Sequence, residues 1–411
     1  RNYDANGDLL DKYEYTYDAN GNRTSVTTTE GTISYQYDDL NRLTQETLLD
    51  GTTISYEYDA VGNRTKKIVD DGTVTTTNYS YDAANQLTAV DGQAYSYDDN
   101  GSLLDNGENS FVYNEKNRLI EVKDSSDQTI ATFTYNYKGK RKSKTTASGT
   151  VNYHYNKEGK LTYETDENNN IVAEYTYDAQ GNPATMTHNG ETYYYHVNGH
   201  GDVMNLTDSS GAVVAEYEYD AWGNVISQSG SMASENPHRY AGYYYDEETE
   251  LYYLNARYYD AEIGRFITRD TFQGFIDEPQ SLNKYAYCEG NPVIYSDPSG
   301  YFATWVIARG IMVGTMGYAF PLLAKHGWNV KEALRYWNWN SWLWSVVGST
   351  AITALPGYIS GWAAKWIGYR SVRVAVEGLS WLAGGAIAGA LADKLFNDGI
   401  FISKLMNKIL N

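Results

Sequence analysis

Cysteine is almost absent from this chain. Cys288 stands alone, so no internal disulfide framework and no multi-cysteine metal site can form, and the redox compartment stays open. Positive charge is thin too: 32 Lys and Arg face 52 Asp and Glu, a net charge of −20. The deficit lies entirely in residues 1 to 300, which hold 22 basic against 48 acidic side chains, whereas residues 301 to 411 hold 10 against 4. Nucleic acid is held by cations that neutralise phosphates, so the acidic part is not expected to bind it. Neither an initiator Met nor a secretory leader stands at Arg1-Asn2-Tyr3-Asp4, which already reads as part of a repeat. The chain is expected to be the C-terminal part of a longer protein.

Tyrosine is what the chain has in abundance, 41 in all and 36 of them before residue 301. It recurs in one phrase: Tyr17-Asp18-Ala19-Asn20-Gly21-Asn22-Arg23, Tyr58-Asp59-Ala60-Val61-Gly62-Asn63-Arg64, Tyr177-Asp178-Ala179-Gln180-Gly181-Asn182 and Tyr219-Asp220-Ala221-Trp222-Gly223-Asn224. Looser copies begin at Tyr3, Tyr37, Tyr81, Tyr97, Tyr113, Tyr137 and Tyr155, and from Tyr3 to Tyr177 successive copies lie 14 to 24 residues apart. That spacing fits a two-stranded unit that buries its apolar face by stacking on neighbours.

Residues 13 to 29 show the physics of one unit. Tyr13, Tyr15 and Tyr17 alternate with Glu14 and Thr16, so in a strand the rings share one face. Asp18, Asn20 and Gly21 supply turn chemistry, and Val26 to Thr29 are β-branched. The unit is predicted to be strand, turn and return strand, with tyrosines serving mainly as structure through cross-strand stacking.

The repeat phrase resembles the Rhs/YD-repeat family, found in bacterial polymorphic toxins, the C component of Tc toxins and the extracellular part of teneurins. The most specific part is Arg239-Tyr240-Ala241-Gly242-Tyr243, then Leu251 through Asn255-Ala256-Arg257-Tyr258-Tyr259-Asp260, Gly264-Arg265-Phe266, and Asn291-Pro292 through Asp297-Pro298-Ser299-Gly300. This run resembles the Rhs-associated core module. The resemblance implies a mainly β fold: a fragment of a spiralling hollow shell over residues 1–235, a core plug over 236–300, and a variable effector, here helical and hydrophobic, over 301–411. It also implies a secreted or cell-surface protein and a cognate immunity protein as partner, and it brings no cofactor.

Self-cleaving members of that family use two aspartates, which map by motif onto Asp270, preceded by Arg269, and Asp297, followed by Pro298. Two carboxylates sharing one proton can activate water and protonate the leaving group. The implied cut follows Tyr301. Thr271 stands where a proline is common and Tyr301 where a leucine is usual, and the alternative is that both aspartates merely cap turns.

No metal site is expected. Asp4-Ala5-Asn6-Gly7-Asp8 and Asp98-Asp99-Asn100-Gly101 look like calcium loops but place glycine too early. His196 and His200 have helical metal-pair spacing, yet Asn198-Gly199 reads as a turn.

The tail is of a different kind. Nine of the ten tryptophans lie in it. Tyr336 to Ala364 is an uncharged stretch of 29 residues, and Gly310 to Ala324 and Gly378 to Ala392 are uncharged stretches of 15. The first is long enough to span a bilayer, and Gly310-x-x-x-Gly314, Gly357-x-x-x-Gly361 and Gly385-x-x-x-Gly389 allow close helix approach. Trp337, Trp339, Trp342, Trp344, Trp362 and Trp366 are candidate membrane contacts beside Lys365, Arg370 and Arg373. With one histidine and four acids the tail shows no evident catalytic constellation. A membrane-active effector acting on a target-cell membrane is the first reading. A soluble enzymatic toxin and a non-toxic translocation segment stay open, as does a surface adhesin whose tyrosines bind carbohydrate.

Overall fold

A computed structural model describes residues 2–3, 7, 9–274, 279–301 and 342. The chain divides into two compact units, Arg1–Ala303 and Thr304–Asn411, so the repeats and the core module fall in one unit. Trp337, Trp339, Trp344, Trp362 and Trp366, expected as membrane contacts, lie outside the described residues; Trp342 is helical and buried.

Each repeat is a hairpin. Thr53–Tyr58 runs back as Arg64–Asp70 through Asp59-Ala60-Val61-Gly62-Asn63. Asp59 Oδ1 accepts the backbone N–H groups of Val61 and Asn63 at 3.0 and 2.8 Å, and its Oδ2 accepts Asn63 Nδ2 at 2.8 Å. Gly62 sits at φ 84°, where a Cβ would be strained. Asn41 and Asn85 take the same left-handed place in units without the glycine, since asparagine tolerates it. The pairing slips between Glu57 and Tyr58, the bulge such a loop requires. The unit read from residues 13 to 29 has the expected order, with strands Glu14–Tyr17 and Arg23–Thr27.

The phrase tyrosine links one unit to the one before. Tyr37, Tyr58, Tyr81 and Tyr155 donate their phenol protons to the carbonyls of Arg23, Leu43, Arg64 and Arg141 at 2.7 to 2.8 Å. One phrase was misplaced by the sequence reading. The copy assigned to Tyr137 begins at Tyr135, whose hydroxyl donates to Leu119 O at 2.6 Å while Asn136 takes the aspartate's place in the turn. Tyr137 is 90% exposed. Tyr135-Asn136 and Tyr137-Lys138 look equally plausible as text, and only the strand pairing separates them.

The hairpins join into a nine-stranded sheet from Glu14–Tyr17 to Gln93–Ala94 and a 14-stranded sheet from Ser96–Tyr97 to Val225–Ser229, antiparallel throughout and in sequence order. The wall then meets itself. Asn2 bonds to Val197, Asp11 to Asn205, Tyr15 to Gly199 and Glu46 to Ala221, at separations of 195, 194, 184 and 175 residues. Such contacts bring the first repeats against the last ones, and the antiparallel all-β wall is consistent with a YD shell.

The core module is a four-stranded sheet, Tyr244–Asp246, Leu251–Tyr253, Tyr258–Asp260 and Arg265–Phe266, with short 3-10 turns. It reaches both large sheets. Asn291 Nδ2 donates to Asn22 Oδ1 and Asn41 O, while Arg265 donates to Asn63 Oδ1 and Asn85 O, so its polar groups engage a row of repeat turns. On the other sheet Arg141 pairs with Asp246, and Leu251, Tyr253, Tyr258 and Ile267 pack with Phe111, Val122 and Phe133.

Candidate active site: two aspartates on one arginine

The segment Asp297-Pro298-Ser299-Gly300 is threaded along residues 254 to 257. Ser299 O accepts the Ala256 N–H at 3.2 Å, Pro298 O accepts Asn255 Nδ2 at 2.8 Å, and Gly300 O accepts Arg257 Nε at 2.5 Å. Only glycine fits at its end. Gly300 has φ 69°, and a Cβ there would lie 2.6 Å from Leu254 O. Tyr301, just beyond, is 51% exposed.

Asp297 and Asp270 both lie against Arg257. Its NH2 lies 2.6 Å from Asp270 Oδ2 and 3.5 Å from Asp297 Oδ2. Its NH1 donates to Lys284 O at 3.2 Å, and its guanidinium lies over the Phe266 ring, 3.5 Å from the centroid. Asp297 Oδ1 accepts the Ser299 hydroxyl at 2.9 Å and the Gly300 N–H at 3.0 Å, and the Asp297 N–H donates to Tyr243 Oη at 2.6 Å. Asp270 is held by its N–H donating to Lys284 O at 2.9 Å and by Oδ1 accepting the Phe272 N–H at 2.7 Å.

Burial raises both carboxyls. Asp270 is pushed up to about 6 by desolvation, with Arg257 opposing and Asp297 reinforcing the shift. Asp297 is raised by burial as well, against Arg257 and its own loop hydrogen bonds. A raised carboxyl with a second one acting on it is an arrangement suited to acid and base chemistry by one pair.

Arg269 is not between them. Its side chain is exposed, and the bridging guanidinium is Arg257, which the sequence reading quoted within a motif without giving it a role. The two histidines do not converge either. His196 Nε2 meets Thr207 Oγ1 at 2.9 Å, while His200 bonds Asp202 Oδ1 at 2.8 Å and Tyr295 O at 3.1 Å. Asp98 is a turn residue, its Oδ1 accepting the N–H groups of Asn100 and Ser102. Among the described residues no three His, Cys, Asp or Glu side chains are grouped to hold a metal, and no helix there is long and apolar enough to cross a membrane.

The Teneurin YD-shell family model matches residues 30–293. The chain belongs to the Rhs/YD-shell family. It is 41% identical over 286 residues to the tRNA3(Ser)-specific nuclease WapA of Bacillus spizizenii and to the tRNA nuclease WapA of Bacillus subtilis, matches that take in 69% of this chain. The chain spans 12% of the length of these relatives. The crystal structure of TcdB2-TccC3-Cdc42 matches 72% of this chain and 17% of that one, with a TM-score of 0.59 and 21% identity, which shows the shared shell fold. The matched family segment ends before the tail.

Proposed function

We propose that this chain is the closing section of an Rhs-type toxin shell, which carries residues 302–411 as its effector and releases them by aspartate-catalysed hydrolysis after Tyr301. One observation carries the reading: a buried and a largely buried carboxylate share Arg257 beside a cradled Asp-Pro-Ser-Gly segment that leads directly to an exposed Tyr301. In the reaction one water is consumed. Its oxygen bonds to the Tyr301 carbonyl carbon and its proton passes to the ionised carboxylate. The protonated partner gives its proton to the Phe302 nitrogen as the C–N bond breaks, so the pair again holds one proton.

Mass spectrometry of the purified full chain tests this. A fragment beginning at Phe302, absent from Asp270→Asn and Asp297→Asn, is the expected result; an intact wild-type chain at every pH refutes it.

The effector itself is read first as membrane-active, on the uncharged 29-residue stretch and the six tryptophans. A second reading, an enzyme acting on RNA, is favoured by the tRNA nuclease names of the relatives and by the tail's excess of basic residues. Expression of 302–411 in bacteria separates them: collapse of membrane potential with intact tRNA supports the first, and tRNA cleavage with an unchanged potential supports the second. Delivery to a target cell, a secreted or surface location and an immunity partner follow from the toxin reading. Glycan binding has less to stand on, because Tyr37, Tyr58, Tyr81 and Tyr155 are tied into the wall by their hydroxyls.

A further inference from the structure

Arg257 makes more directed contacts at this site than either aspartate needs for burial. Its three nitrogens point to three different things. Nε holds the Gly300 carbonyl, NH1 holds the Lys284 carbonyl on the segment that also anchors the Asp270 backbone, and NH2 reaches both carboxylates. Its side chain is 7% exposed and its guanidinium lies over the Phe266 ring. A planar guanidinium can satisfy these directions at once, whereas an ammonium cannot.

We infer that Arg257 is the positioning residue of the cleavage site, a clamp that fixes the substrate strand through the Gly300 carbonyl and sets the register between that strand and the two aspartates. This rests on the cleavage reading above. Gly300 O belongs to the peptide immediately upstream of the Tyr301–Phe302 bond, so a shift of the fork moves the reacting carbonyl relative to both carboxyls. The same cation stabilises the ionised form of each aspartate. The other charged or titratable groups acting on the pair are Lys284 on the Asp270 side and Cys288 and Tyr243 on the Asp297 side. Arg257 is the one cation that bridges both carboxyls among the described residues.

The test is single-turnover release from the full chain, followed by mass spectrometry across pH for wild type, Arg257→Gln and Arg257→Lys. Loss of the fork is expected to slow release by about 100-fold, the scale of a small misplacement of reacting groups. In Arg257→Gln the alkaline limb of the pH profile moves up, because both carboxyls lose their stabilising cation. Arg257→Lys keeps the charge, so it restores the position of the limb while the rate stays low. Wild-type rate and profile in Arg257→Gln overturn the inference. So does a slowed rate whose pH profile is the same in all three proteins, the result of a merely structural role.

Hydrogen exchange of residues 297–301 provides a readout independent of cleavage. Protection in the wild type and its loss in Arg257→Gln support the clamp, and equal protection overturns it. An intact wild-type chain with this loss of protection would reject the cleavage reading while leaving the clamp in place. Arg257→Lys also covers the case in which Arg257→Gln fails to fold.

Discussion

Glu46, in the nine-stranded sheet, accepts the backbone N–H of Ala221, in the turn that joins the last two strands of the 14-stranded sheet, at 2.9 Å across 175 residues of chain. The same carboxyl accepts the Tyr56 hydroxyl at 2.6 Å, and Asp220 beside it lies 3.6 Å from Lys67 Nζ. A fully buried carboxyl thus sits on the seam between the two large sheets.

That position makes the seam sensitive to pH. Burial, reinforced by the Asp220 charge, pushes Glu46 up to about 8, against the pull of Tyr56 and Ala221. A carboxyl whose folded pKa is raised binds more protons folded than unfolded, so its contribution is fullest below the unfolded value and is lost as pH rises through the folded one. The unit 1–303 is expected to melt at progressively lower temperature between about pH 5 and 8. Glu46→Gln, permanently neutral, should make that slope shallower, the remainder coming from Glu164, Asp260 and Asp270, whose carboxyls burial also raises. A wild-type melting temperature that rises across the window would refute the assignment.

The phrase tyrosines are expected to act through their hydroxyls. Tyr58→Phe keeps the ring but leaves the Leu43 carbonyl without its partner, at about 1 kcal/mol, and Tyr135→Phe should cost the same at Leu119. Tyr137→Phe should change the denaturation midpoint hardly at all, since that residue is 90% exposed. Equal losses at Tyr135 and Tyr137 would mean that the repeat register is wrong.

That register shows where sequence reading ends. The hairpin units were legible because Tyr-Asp-x-x-Gly-Asn carries its own turn chemistry: the Asp59 carboxylate closes the turn on Val61 and Asn63, within five residues. The aspartate pair was named only through family resemblance, as Asp270 and Asp297 have no local pattern joining them. Arg257 was missed for the same physical reason. Its partners lie 13, 27, 40 and 43 residues away, and Arg269, adjacent to Asp270 in sequence, was the more visible cation. The contacts of Glu46 and Tyr15 with distant repeats are longer in range still.

Two turn glycines should differ in what they tolerate. At Gly62 a Cβ meets nothing within 4 Å, so Gly62→Ala should cost only the left-handed backbone strain, about 1 to 2 kcal/mol. At Gly223 a Cβ would also lie 2.6 Å from the ring of Tyr240, which is buried in the core module. Gly223→Ala is therefore expected to destabilise more and to weaken docking of the core. Urea unfolding of the two variants side by side decides it, and a Gly223→Ala variant no worse than Gly62→Ala would mean the core yields at that point.

The Arg141–Asp246 pair fixes how the core seats on the 14-stranded sheet. Both side chains are essentially inaccessible, with Lys144 Nζ 3.0 Å from Asp246 Oδ1. Arg141 also lies over the rings of Phe133, Tyr153, Tyr244 and Tyr253, drawn from both elements. Removing one charge strands the other, so Asp246→Asn should cost about 3 to 5 kcal/mol, whereas replacing a buried pair by apolar groups is often close to neutral. Arg141→Met with Asp246→Leu should therefore be less destabilised than Asp246→Asn alone. If the double variant is the worse of the two, the cation–ring contacts of Arg141 rather than its ion pair hold the core in place.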